Sequence, residues 1–327
     1  MLLVKIYKKI IKNLYKRAFP SEYNITRYGI TNIQGFGLNF KDYIINNNME
    51  TKLNALLSGL DQQSINVVLK RYSQIINLPL KGFKVPRDIY EYLLSDNEKN
   101  DKKLWEQQRI NIKNKYKFSG KYFPEVFFYH HGLKLLDNSV LEYIKGKIFL
   151  DIGAFHGDSS IIMSEYNPKQ IIAMELLPSA KDIYFYNLKQ NNISPDMISF
   201  MTCGVSNIES SITVDDNNDM NSIGNPSENG SCVPLVVLDN LLEDRADKIG
   251  WIKMDIEGAE YNALLGALKI IKKDKPLLTL SIYHTPQEFF ELKTIIDNLN
   301  LNYTFLIRNL SFINSHLETT LIGIPPR

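Results

Sequence analysis

The chain has 327 residues, 44% apolar and 23% charged, a balance that fits a folded globular protein and excludes a disordered one. Two cysteines, Cys203 and Cys232, are too few for a disulfide scaffold, and no apolar run reaches the roughly 18–20 residues of a membrane span. Lys5, Lys8, Lys9, Lys12, Lys16 and Arg17 fall in the first 19 residues with no acid, so the rest of the chain carries −4, the net +2 less these six. A slightly acidic body argues against a nucleic-acid partner.

Residues 1–19 read as a basic amphipathic helix, with Leu3, Ile6, Tyr7, Ile10, Leu14 and Tyr15 at helical spacing. Such a helix either contacts an anionic membrane surface or docks on the body with its lysines solvated. Glycines and the Asn46–Asn48 run mark loops up to residue 48. Met49 to Leu78 then reads as a helical hairpin with a break near Asp61. Arg87 to Leu94 predicts a short helix, Ser95 to Lys103 an exposed polar connection, and Trp105 to Lys117 another helix. The aromatic stretch from Lys121 to Leu133 holds His130 and His131, a pair that suits packing or a lid better than a metal site. The expected division is a mainly helical region, 1–118, and a catalytic domain, 119–327.

From Ile148 strands and helices alternate, which predicts an α/β doubly wound, mostly parallel sheet. Strands are expected near Ile148–Asp151, Ile171–Glu175, Ile198–Cys203, Trp251–Asp255 and Leu277–Tyr283. In IFLDIGAFHGDSS a strand ends at Asp151, and Gly153 and Gly157 flank a turn that can lie against a ligand. Glu175 ends the next strand, where a carboxylate can accept both hydroxyls of a ribose. Asp255 ends a later strand, and Glu257-Gly258 opens the helix after it. Asn207 to Cys232 is polar and glycine-bearing and reads as a long mobile loop, with its tip over DNNDMNSIGNPSENG.

The runs LDIGAFHGDSS, AMELLPSA, VPLVVLDNLL and IKMDIEGAEYNALLGA, in this order and spacing, resemble the FkbM-type S-adenosylmethionine-dependent methyltransferases. The tail, LSIYHTPQEFFEL to ETTLIGIP, is similar to a subgroup with Tyr-His-x-Pro after the fifth strand. Phe155 stands where the family commonly has Asn, and Ser281 where it commonly has Glu. The resemblance implies a class I (Rossmann-like) fold whose last strands, near Tyr303–Arg308 and Thr319–Ile324, form an antiparallel edge. It implies S-adenosylmethionine as cofactor, in a pocket of Asp151, Gly153, Ala154, Gly157, Glu175, Cys203, Gly204 and Asp255. Taken by itself, Cys203 reads as a small core residue.

The implied reaction is O-methylation of a sugar hydroxyl on a bacterial surface glycan or related natural product. A hydroxyl is a poor nucleophile at neutral pH and needs a general base. His284 is the first candidate, with Asp255 and Glu257 as competitors. No metal is expected, a cation held by Asp255, Glu257 and His284 being the minor alternative. A non-catalytic module docking at a membrane assembly and a nicotinamide-dependent oxidoreductase are the other readings; the latter lacks its Gly-x-Gly-x-x-Gly. With no signal-peptide core at the N-terminus, the expected location is the cytoplasm, with peripheral membrane contact through residues 1–19.

Overall fold

The computed structural model describes residues 39–77, 94–215, 230–312 and 318–326, apart from 41 and 122. The basic stretch 1–19, most of the helix expected over 87–94 and the loop tip 216–229 lie outside these residues.

The apolar runs form strands because both of their faces are covered. The strands β1 (Ile148–Ile152), β2 (Gln170–Glu175) and β3 (Ile198–Thr202) come first. The chain then adds β4 (Gly204–Val205), β5 (Ser210–Val214) and β6 (Ser231–Val236), and continues with β7 (Ile249–Met254), β8 (Leu277–Ser281), β9 (Thr304–Asn309) and β10 (Thr319–Ile324). The main sheet runs β3-β2-β1-β7-β8-β10-β9, with β10 antiparallel to both neighbours and the first five strands parallel. Along β1, Ile148, Leu150 and Ile152 face one core while Phe149 faces the other; in β7, Ile252 and Met254 oppose Trp251 in the same way. Strands buried on both faces read as continuous apolar runs, which is why these were visible in the sequence.

The helices are α1 (Met49–Leu57), α2 (Gln62–Asn77), α3 (Asp96–Lys115), α4 (Pro124–Tyr129), α5 (Asn138–Ile144), α6 (Asp158–Ser164), α7 (Ala180–Gln190), α8 (Leu238–Leu241), α9 (Glu260–Leu265), α10 (Leu268–Asp274) and α11 (Pro286–Asp297). The expected hairpin α1–α2 breaks at Asp61 and packs on the sheet edge. There Arg308 reaches Asp61 through both guanidinium nitrogens at 3.1 and 2.5 Å, and Ser64 Oγ accepts the Ile307 N–H at 2.8 Å. This bidentate pair fixes the hairpin's angle as well as its position.

Two expectations are corrected. Ser95–Lys103 is not a connection but the start of α3, closed by a capping box in which Ser95 and Glu98 satisfy each other's backbone N–H. Glu98 is buried there because Lys70, at 2.7 Å, and Asn309, at 2.6 Å, bind its carboxylate. The stretch after Asn207 is not wholly loop, since β5 pairs antiparallel with β6 and buries Ile212 and Val214 against Val233 and Leu235. Two inward apolar residues among polar neighbours give too short an alternation to stand out in the sequence.

Candidate functional site

The chain runs outward from β1 to β2 and β3, then returns to β7 on the other side of β1. The crevice between the carboxyl ends of β1 and β7 is the switch point where such sheets bind ligands. A cleft opens there, lined by residues from the ends of β1, β2 and β7 and by the aromatic stretch before β1.

Gly153 forms its floor. At φ +81° it lies in left-handed space, and a Cβ there would sit 2.0 Å from the Asp255 carbonyl oxygen. Glycine is therefore what lets the turn after β1 close on the turn after β7. Glu175 stands at the rim of β2, 6% exposed. Its carboxylate accepts the Phe155 N–H at 2.7 Å and the Leu177 N–H at 2.8 Å, which fixes its direction. A carboxylate has about four acceptor positions, so two are left for a ligand. Cys203 and Gly204 line the cleft beside Glu175, and burial pushes the Cys203 thiol up to about 12, which makes it an inert wall.

Other expected residues lie behind the wall. Asp151 is fully buried, accepts the Ser160 hydroxyl at 2.6 Å and sits 3.4 Å from the Lys253 ammonium. Ala154 and Gly157 close the turn through a 2.8 Å backbone hydrogen bond. Asp255 and Glu257 line the cleft, but His284 does not. His284 is 2% exposed, with Glu260 Oε1 3.2 Å from its Nδ1, and Glu257 Oε2 at 3.5 Å and Asp255 Oδ1 at 3.8 Å from its Nε2. Burial alone would discharge the ring, but Glu260, Glu257 and Asp255 outweigh it and hold its pKa well above the ordinary value.

Asp255, Glu260 and His284 bring three atoms of metal-ligating type within 4.8 Å of one another. Glu260, however, already accepts the Ile256 N–H at 2.6 Å and the Gly258 N–H at 3.0 Å in addition to facing His284. With the Glu288 carboxyl as a fourth partner its acceptor positions are taken, and the group reads as a buried ion pair. His130 is packing, held between Tyr166 Oη at 2.8 Å and Tyr116 Oη at 3.1 Å, while His131 meets Ser159 Oγ at 3.0 Å and borders the cleft.

Residues 151–310 match the model of the methyltransferase FkbM domain. The chain carries an FkbM methyltransferase domain. Among solved structures it is similar to methyltransferase FkbM from Methylobacillus flagellatus, at 18% identity and a TM-score of 0.44, over 72% of this chain and 62% of that one. The match thus spans less than two thirds of that relative. A Streptococcus mutans protein described as a methyltransferase, solved in complex with SAH, is similar at 14% identity and a TM-score of 0.36, over 58% of this chain and 96% of that one. An rRNA methylase from Streptococcus thermophilus is similar at 11% identity and a TM-score of 0.37, over 57% and 92%. No curated protein matches the sequence. No helix among the described residues is long and apolar enough to cross a membrane.

The FkbM domain also uses residues that pattern reading passed over. Lys253, alone among apolar residues in β7, donates to the Gly153 carbonyl at 2.7 Å and sits 3% exposed. Burial opposes its charge, but Asp151, Asp255 and Asp158 keep it charged. A lysine inside a buried strand was the signal that could have found it, since buried charges are paired. Glu260 and Glu288, both fully buried, were hidden because each reads as an ordinary first-turn acid of a helix.

These buried groups set a pH dependence. Burial and the Glu260 charge push the Glu288 carboxyl far above its ordinary 4.5, and His284 is raised from 6.5. Above 4.5 the unfolded chain releases the Glu288 proton that the folded chain keeps, and above 6.5 it releases the His284 proton as well. Stability should therefore fall as pH rises from about 5 towards 9, read as the urea midpoint. Glu288→Gln should flatten that slope; a midpoint that climbs across this range contradicts the protonation pattern.

Proposed function

We propose that this chain transfers a methyl group from S-adenosylmethionine to a hydroxyl oxygen of a sugar, on a surface glycan or related natural product. The observation that carries the reading is the cleft at the switch point, with Glu175 fixed at one end and Asp255 and Glu257 at the other. The donor set suits the cofactor: bare backbone at Gly153, a carboxylate for the ribose at Glu175, and a wall of Leu176, Leu177, Cys203 and Gly204 for the base. When bound, the cofactor supplies an electrophilic methyl on a sulfonium, which is its own leaving group.

The chain's task is to orient, exclude water and accept a proton. The proton acceptor in this reading is the Glu257 carboxylate, which borders the cleft, with the His284 imidazolium 3.5 Å from its Oε2. His284 thus acts as the positioning cation for the base and not as the base itself. The cleft lining carries Glu125, Asp158, Glu175, Asp255, Glu257 and Glu318 against Lys121 and Lys253, which supports a sugar over a phosphodiester chain. Attachment of residues 1–19 to an anionic membrane on the cytoplasmic side belongs to the same reading and rests on their six cations.

Glu175→Ala is expected to weaken S-adenosylmethionine binding by about 1.5–3 kcal/mol, the range for hydrogen bonds to a charged group. Calorimetry on the folded variant measures it, and an unchanged affinity would remove Glu175 from the pocket. A mass-spectrometric screen of candidate glycans then tests the acceptor class. Wild-type protein that binds no S-adenosylmethionine overturns the whole reading.

A further inference from the structure

Glu260 and Glu288 do not themselves line the cleft, yet they connect the two loops that carry the proposed chemistry. Glu260 opens α9 and folds back on its own strand end. Its two oxygens accept the Ile256 and Gly258 N–H groups, on either side of Glu257. Glu257 is thereby held at φ +56°, a left-handed conformation that a side-chain-bearing residue adopts only where its surroundings enforce it. Glu288 does the equivalent on the other loop, where its Oε2 accepts the Thr285 N–H at 2.9 Å in the capping box of α11, next to His284. The two carboxyl groups face each other in the core, and the His284 ring closes the arrangement at 3.2 Å from Glu260.

We propose that Glu260 and Glu288 are positioning residues for methyl transfer: as a buried carboxyl pair they lock the His284 imidazolium behind Glu257 and so aim the proton-accepting carboxylate into the cleft. The inference rests on the function proposed above for its chemistry, but not for its geometry. Two carboxyls that interact in a buried site hold one proton between them. The His284 ring faces the ionised Glu260, and burial together with the Glu260 charge keeps the proton on Glu288.

The groups that face His284 are Asp255 and Glu257 from the turn after β7, Glu260 from α9, Glu288 from α11, Tyr283 beside it with ring centroids 3.9 Å apart, and Glu318 ahead of β10. Glu260 comes closest, its Oε1 3.2 Å from the ring Nδ1, against 3.5 Å for Glu257 and 3.8 Å for Asp255 at Nε2. Removing its charge should free the ring to titrate. Removing the Glu288 carboxyl proton while keeping a donor should not.

The test follows the His284 ring resonance of the isotopically labelled full-length protein from about pH 5 to about 8, the range in which an ordinary histidine changes charge. His284→Asn assigns it among the five histidines. In wild type the ring should stay protonated throughout, in Glu260→Gln it should titrate inside the range, and in Glu288→Gln it should behave as in wild type, because the amide can donate where the carboxyl did. Titration in the wild-type protein overturns the proposal without need of any variant, and so does a folded Glu260→Gln in which the ring stays protonated. A shift of the same resonance on adding magnesium or zinc overturns it too, by placing a cation between Asp255, Glu260 and His284. Calorimetry with S-adenosylmethionine on the same wild-type sample separates failure of this inference from failure of the methyl-transfer reading.

Discussion

Glu257→Gln is expected to lower kcat by about 10²–10⁴ and leave cofactor affinity unchanged, the size and pattern of a lost general base. The argument is one of access. The Glu257 side chain is 44% exposed and borders the cleft, whereas that of His284 is 1% exposed and ringed by carboxylates. A base must reach the proton it takes, and it must be unprotonated when it does so. His284 fails both conditions near neutral pH. For Glu257, burial raises the pKa above the ordinary 4.5, and Asp255 and Glu260 add to this while the His284 charge opposes it. The rate should rise with pH through that raised value. His284→Asn removes the opposing charge and the ring that aims Glu257, so the rising limb should move to higher pH and the alkaline plateau should lie below that of wild type, yet above that of Glu257→Gln. If Glu257→Gln keeps wild-type turnover, the proton goes to Asp255 instead.

The sheet could be read from the sequence because its strands are covered on both faces. Continuous runs such as Ile148–Leu150 and Ile171–Met174 have no polar alternation to blur them. The strand ends at Gly153, Glu175 and Asp255 were readable for a related reason: acids and glycines interrupt apolar runs only where backbone or ligand requires it. The environment of His284 was not readable. Its partners Glu260 and Glu288 come from two helices, and only the packing of α9 against α11 brings them to one ring. Nothing in Tyr-His-x-Pro distinguishes a histidine that opens onto a cleft from one sealed behind it. Ser95–Lys103 was misread because polarity is a poor guide to helix ends. Glu98 is buried by partners almost 30 residues away in α2 and over 200 away in β9.

Gly153→Ala should be among the most damaging single substitutions in the domain, and Gly157→Ala is the comparison that shows why. Both glycines have positive φ, +81° and +90°, so alanine bears the same left-handed penalty of about 1–3 kcal/mol at either position. The surroundings differ. At Gly157 the new Cβ would meet the Tyr184 ring edge at 3.1 Å, a side chain that can give by a few tenths of an ångström. At Gly153 it would lie 2.0 Å from the Asp255 carbonyl oxygen, which belongs to the main chain leaving β7. That oxygen moves only if the β1 and β7 turns separate, yet Asp255 N–H is bonded to the Ile152 carbonyl at 3.1 Å and Lys253 Nζ to the Gly153 carbonyl. Relief of the clash therefore breaks the contacts that close the floor of the cleft. Urea unfolding should show Gly153→Ala losing clearly more stability than Gly157→Ala, beyond their shared backbone term. In whatever fraction folds, the cofactor should bind more weakly, because the turn that forms the floor has been displaced. Equal losses in the two variants would mean that the β1 and β7 turns part easily, and that the floor of the cleft is not held by their contact.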